Sequence, residues 1–236
     1  MSSDSNLVVL LDVDNTLLDN DRFSDDLDQR LIRDFGTQGR EHYRSHYRAL
    51  REAQGYADYL GAVQRLRGEF DDDPSLLHLA AFILDYPFAE RLFPRALETI
   101  AHLDTLGTSV ILSDGDMVLQ PRKVQRSGLW QATAGRVSIY LHKEFRLDAV
   151  RRHWPARHYV MVEDKPALLA AMKSEMGPTL TTIFVRQGHY AQEQKLAPGE
   201  PEPDIAIDRI DELQALTFGE LLSAAARPPT KATDQP

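Results

Sequence analysis

The chain has 236 residues, 42% hydrophobic and 27% charged, enough for one sizeable α/β core with room for a modest insertion. Lys and Arg number 27 against 36 Asp and Glu, a net charge of -9 that argues against general nucleic-acid or anionic-membrane binding and requires any bound anion to meet a local positive site. There is no cysteine, which excludes disulfides, thiolate catalysis and sulfur-ligated zinc. The opening MSSDSN lacks a signal-peptide pattern and no apolar run approaches the roughly 18 residues of a membrane helix, so the expectation is a soluble, cytoplasmic protein.

The first element is Leu7 to Val13 (LVVLLDV), a nearly continuous apolar run of the kind a parallel strand buried on both faces presents. About ninety residues separate it from the next strand candidate, far more than one crossover helix needs. Ser24 to Phe35, Arg40 to Ala53, Tyr56 to Gly68 and Pro74 to Asp85 all read as helices, the last opened by Asp73 as cap and Pro74 in the first turn. Residues 20–89 are therefore expected to form a small all-helical cap domain, joined by Asp19-Asn20 and by the stretch Tyr86 to Pro94.

Beyond the insertion, short β-branched runs alternate with helical segments. Ser109 to Leu112, Tyr159 to Val162, Thr182 to Val185 and Ile205 to Ile207 read as strands, and Arg136 to Tyr140 as a weaker one. Pro94 to Leu106 ends at Gly107, Met117 to Ser127 at Gly128, and Lys165 to Met176 at Gly177-Pro178, each with the spacing and stop signal of a helix. This alternation predicts an α/β fold, a Rossmann-like doubly wound and mostly parallel sheet with helices on both faces. The expected division is a core of 1–19 and 90–225, the cap at 20–89, and a disordered tail at 226–236 (ARPPTKATDQP).

The first strand ends in Asp12-Val13-Asp14-Asn15-Thr16, two carboxylates and a hydroxyl on the turn leaving a buried strand, a pattern expected by chance about once in several thousand positions. Ser113 follows the second strand, Glu163 and Asp164 follow YVMV, and Lys143 lies between at the start of a helix. In a parallel sheet these groups collect at one edge, where ligands bind. Carboxylates buried together repel unless a cation or a retained proton offsets them. Oxygen ligands drawn from Asp12, Asp14, Glu163 and Asp164 suit magnesium rather than zinc.

The segments LDVDNTLLD, ILSDG, Lys143 and VEDKP, in that order, resemble the four motifs of the haloacid dehalogenase superfamily, phosphatase branch, with a helical cap after the first motif; the resemblance spans residues 7 to about 217. It implies that Asp12 is the nucleophile, Asp14 the general acid and base, Ser113 a phosphate ligand, Lys143 its charge partner, and Thr16 a residue that holds the turn in shape next to substrate. Dehalogenase and phosphonatase members lack the second aspartate, so Asp14 favours phosphate esters. The fourth motif departs from the family pattern: Leu168 stands where a further aspartate is common, and Glu163 beside Asp164 is the substitute. Lys165 reads as a salt-bridge partner of that pair.

Arg40, Arg44, Arg48 and Arg51 recur along one face of the second inserted helix, and Arg44 and Arg48 are candidates to grip a second anionic group or the substrate body, against the plainer reading of a solvated face. Asp114 is a further substrate-side candidate; with Gly115 and Asp116 it also suits a loop that caps the next helix. His42 and His46 have metal-pair spacing but no third ligand, and His189 and Arg186 sit on a loop at the active edge. The expected function is magnesium-dependent hydrolysis of a small phosphomonoester metabolite through a phosphoaspartyl intermediate on Asp12. The alternatives are a phosphomutase or phosphotransferase of the same superfamily, or a non-catalytic phosphorylation-responsive module.

Overall fold

The structure, a computed structural model, describes residues 5–193 and 195–225. The tail expected at 226–236 lies outside the described residues. Six strands, β1 (Ser5–Leu11), β2 (Thr108–Asp114), β3 (Val137–Tyr140), β4 (Ala156–Glu163), β5 (Leu180–Val185) and β6 (Ile205–Ile207), form one sheet in the order β3-β2-β1-β4-β5-β6 with every neighbouring pair parallel. Ten α-helices are assigned among the described residues: α1 (Asn20–Gln54), α2 (Tyr59–Phe70), α3 (Ser75–Asp85), α4 (Ala96–Leu106), α5 (Leu119–Arg126), α6 (Leu129–Ala132), α7 (Leu147–His153), α8 (Pro166–Met176), α9 (Gly188–Glu193) and α10 (Phe218–Ala224). None is long and apolar enough to cross a membrane.

The apolar run of β1 has its physical reason in the two faces it covers. Leu7, Val9 and Leu11 join a cluster with Ile100, Leu103, Val124 and the inserted helices, while Val8 and Leu10 pack with Val150, Leu169 and Met172 on the opposite face. Alternate side chains of one central strand thus serve two separate cores, which makes the sheet doubly wound. After β3 the chain crosses back to pair β4 on the other side of β1. The loops leaving β1 and β4 therefore flank the switch point, where open α/β sheets bind ligands.

Three helices, α1, α2 and α3, form the insertion that precedes α4 between β1 and β2. The expected pair Ser24 to Phe35 and Arg40 to Ala53 is one segment, α1, broken only at Gly36, whose φ of 69° and ψ of 179° leave the helical region. The helix starts earlier than expected because the Asp19 carboxylate caps it by accepting from the Arg22 amide at 2.9 Å. The two connecting stretches run antiparallel against each other: Phe93 donates to the Leu17 carbonyl at 2.9 Å and Asp19 to the Arg91 carbonyl at 2.7 Å. Phe23 packs edge to face on Tyr59 and Tyr86 and at a tilt on Phe88 beside this junction, a desolvated aromatic seam between the inserted helices and the core.

Candidate active site

The turn after β1 is held by Asn15, which adopts a positive φ of 60°. Its side-chain carbonyl accepts from the amides of Asn20 and Asp21, and its amide donates to the Asp21 carboxylate at 3.0 Å. Gly188 closes against it: a Cβ there would lie 2.5 Å from the Asn15 Cβ, and the φ of +72° is one that L side chains rarely adopt. Thr16 is buried, but its hydroxyl has no hydrogen-bond partner and it stands away from the cavity described below, so the turn is shaped by Asn15 rather than by Thr16.

Asp12, Ser113, Lys143, Glu163 and Asp164 come together in the interior at this edge, none more than 3% exposed. The Lys143 ammonium lies 2.5 Å from Asp12 Oδ1 and 2.5 Å from Glu163 Oε2, and it also donates to the Leu112 carbonyl at 3.2 Å. Oxygens of Asp12, Glu163 and Asp164 lie within 4.8 Å of one another, close enough to share a cation. Asp12 Oδ2 and both oxygens of Asp164 are buried with no hydrogen-bond donor directed at them. Three buried carboxylates against one ammonium in direct contact leave an uncompensated negative charge, and the orphaned oxygens are hard, anionic donors of the kind magnesium prefers.

Titration of the cluster follows from the same geometry. Burial and the Glu163 charge push Asp12 up, against the pull of Lys143. Burial and the adjacent Glu163 push Asp164 up as well. Burial also opposes ionisation of Glu163, but the charges of Lys143 and Lys165 outweigh it and hold that carboxyl low. Lys143 is held firmly protonated because Asp12 and Glu163 outweigh its own desolvation. Burial and mutual repulsion thus favour the protonated forms of Asp12 and Asp164, a cost that a bound cation would offset.

Asp14 departs from the expected metal set. Its carboxylate is outside the three-residue cluster; Oδ1 accepts from Lys123 of α5 at 2.6 Å, and Oδ2 is approached by Gln120 at 3.4 Å. Gln120 also donates to the Ser113 hydroxyl at 2.9 Å. Asp14 is the partly exposed member of the site, its side chain 29% accessible, and it lines a cavity of about 140 Å³ between the sheet edge and the inserted helices. Asp114 lines the same cavity while accepting from the Lys143 amide at 2.7 Å, and burial raises its pKa. Asp116 caps α5 by accepting from the amides of Val118 and Leu119.

The remaining cavity wall comes from α1, α2, α9 and two core loops. Arg51 donates to the Tyr190 hydroxyl at 2.5 Å, Lys165 stands 5.1 Å over the same ring, and Tyr47, Tyr59 and His142 complete the wall. Lys165 acts on the acidic pair through its charge rather than as the expected salt-bridge partner in contact. Gly55 is needed where α1 ends, since a Cβ there would lie 2.6 Å from His142 Nε2. Of the arginine row, Arg51 alone reaches this wall. Arg44 is committed to Asp28 at 2.6 Å and to Ser24, and Arg48 is exposed on the outer surface, so neither stands where the substrate-gripping expectation required. His46 bonds Glu69, and His189 bonds Asp21.

No protein-family model and no curated protein matches the chain. Among solved structures, a haloacid dehalogenase-like hydrolase from Burkholderia xenovorans LB400 is 51% identical over 89% of this chain and 98% of its own, with a TM-score of 0.83. The chain belongs to the haloacid dehalogenase-like hydrolases. At the level of fold this hydrolase also matches a magnesium-bound hydrolase of the same superfamily from Bacillus subtilis, 16% identical over 90% of this chain and 98% of the other, with a TM-score of 0.58. An L-2-haloacid dehalogenase matches at 18% identity over 88% of this chain and 97% of its own, also with a TM-score of 0.58.

Lys123, Gln120 and Asn20 were not singled out in the sequence as site residues of this hydrolase, and Arg51 entered only as a member of the arginine row. Lys123 carried one usable signal: it is a basic residue on the helix that directly follows the second motif. Its burial, 1% exposed, is what distinguishes it from the other basic residues of α5, and burial is a tertiary fact.

Proposed function

We propose that this hydrolase is a magnesium-dependent phosphatase of a small phosphorylated metabolite, in which Asp12 attacks phosphorus and a phosphoaspartyl intermediate is then hydrolysed. The observation that carries the reading is Asp14: a second carboxylate two residues from the nucleophile, with one oxygen anchored by Lys123 and the group itself facing the cavity. Such a group protonates a leaving alkoxide and then takes a proton from the attacking water, two demands that phosphate esters make. Bound by Asp12, Glu163 and Asp164, magnesium would supply charge neutralisation for the transferred phosphoryl group. Lys143 orients Asp12 and favours its ionised form against the burial that opposes it, and Ser113, positioned by Gln120, offers a hydroxyl to a phosphoryl oxygen. The segment 20–89 serves as a cap whose Arg51, Tyr47 and Tyr59 face the body of the substrate.

A second reading, hydrolysis of a 2-haloacid by the same carboxylate, is favoured by one observation, the likeness of the fold to an L-2-haloacid dehalogenase. That chemistry releases halide, which needs no proton, and so leaves Asp14 without its task as general acid. Purified protein assayed with magnesium on a phosphometabolite panel and on 2-haloacids separates the two. Phosphate release that chelator abolishes supports the phosphatase, whereas halide release in the absence of phosphate release overturns it.

A further inference from the structure

Lys123 is among the largest fully buried side chains of the protein. Its ammonium donates to Asp14 Oδ1 at 2.6 Å and to Asn20 Oδ1 at 2.9 Å, and lies 5.9 Å and 5.7 Å from the ring centroids of Phe23 and Phe88. A lysine withdrawn from water is costly unless its donors are used, and here they are committed to one residue of the first motif and one at the start of the inserted helices. Asn20 passes the connection on: its side chain stands next to the Tyr59 hydroxyl, and the Tyr59 ring packs on Tyr47 with centroids 5.0 Å apart. Tyr59 and Tyr47 both line the cavity.

We infer that Lys123 is a positioning residue for the general acid and base, fixing which oxygen of Asp14 faces the reacting group and tying that orientation, through Asn20 and Tyr59, to the seating of the inserted helices. With Oδ1 held at 2.6 Å by an ammonium, rotation of the carboxylate breaks a charge-assisted bond inside an aromatic enclosure, so Oδ2 is the oxygen left to carry the proton. Gln120 adds a weaker constraint at 3.4 Å and links the same carboxylate group to Ser113. Lys123 itself does not line the cavity, and it acts through Asp14 rather than on substrate. The inference rests on the phosphatase reading.

The test compares wild-type protein with Lys123→Met, which keeps the length and apolar contacts of the stem, on an alkyl phosphate and on an aryl phosphate whose leaving group needs no proton. Lys123→Met should lose about 10-fold or more in kcat on the alkyl ester and less than about 3-fold on the aryl ester, with KM nearly unchanged, because part of the proton-transfer contribution goes with the orientation of Asp14. Asn20→Ala leaves the lysine stem in place and carries the test independently of folding; its loss has the same selectivity and is smaller. Equal losses on both esters at an unchanged melting temperature, or a rise in KM alone, overturn the assignment. Absence of phosphate release from both esters by wild-type protein overturns the phosphatase reading, and this inference with it.

Discussion

Replacing Lys143 with Met tests the electrostatics of the buried cluster apart from catalysis. At an effective dielectric of about 20, an ammonium 2.5 Å from a carboxylate is attracted by about 7 kcal/mol, and Lys143 makes two such pairs, both inaccessible to water. Desolvation of the ammonium and proton uptake by the abandoned carboxylates return much of that, and removing one partner of a buried pair typically costs about 3–5 kcal/mol. For a chain of this length that corresponds to a fall in melting temperature of about 6–20 °C in chelator. Magnesium should then stabilise the variant more than the wild type, because it meets one more uncompensated negative charge and protects in proportion to its affinity. Thermal melts of both proteins in chelator and in magnesium at pH 8 read this directly. A variant as stable as wild type in chelator, or one stabilised no more by magnesium, would refute the reasoning.

The same carboxylates give the metal-free protein a pH dependence of defined sign. Asp12 and Asp164 have folded pKa values raised above their unfolded ones, so the folded state binds more protons and their contribution to stability is lost as pH rises above the ordinary carboxylate range near about 4. Glu163, held low, works in the opposite sense only below that range, while His158, lowered by burial and lying outside the cluster, pulls oppositely near neutrality. The stabilisation by magnesium, measured as loaded minus chelated protein, should therefore grow from pH 5 to pH 8, and a difference that shrinks over that interval contradicts the assignment of the metal site. In the cavity wall, Arg51→Ala should raise KM several-fold for phosphometabolites with an extended body and leave a small aryl phosphate nearly unchanged, whereas Arg48→Ala should alter neither; steady-state kinetics on both substrates checks this, and equal effects of the two variants remove Arg51 from the substrate wall.

The elements that place the catalytic edge were legible because their signals are local. An unbroken apolar run such as Leu7 to Leu11 has no stable place except between two cores, and the charged or hydroxyl residues that end such runs mark one sheet edge once the strands are parallel. Asp12, Ser113, Lys143, Glu163 and Asp164 all meet there. What sequence could not disclose is which charges find partners across the fold. Asp14 was grouped with the metal residues by proximity in sequence, yet a lysine more than a hundred positions away takes its carboxylate. Arg44 and Arg51 share one helical row and differ only in what lies opposite: Asp28 and Ser24 for the first, Tyr190 for the second. Helical periodicity reports a face, not its neighbour. The continuity of α1 across Gly36 escaped for a related reason, since a single residue outside helical φ/ψ interrupts the helix without ending it.

The central claim is that Asp12 forms the covalent phosphoryl bond and Asp14 moves the proton. Incubating wild-type, Asp12→Asn and Asp14→Asn proteins with magnesium and radiolabelled acetyl phosphate, quenching in acid and mapping the labelled peptide, tests it most directly. Asp14→Asn should retain label on the peptide containing residue 12, since its nucleophile is intact and water activation is impaired, and Asp12→Asn should retain none. Label on Asp12→Asn protein, or on a peptide elsewhere in the chain, would contradict the account.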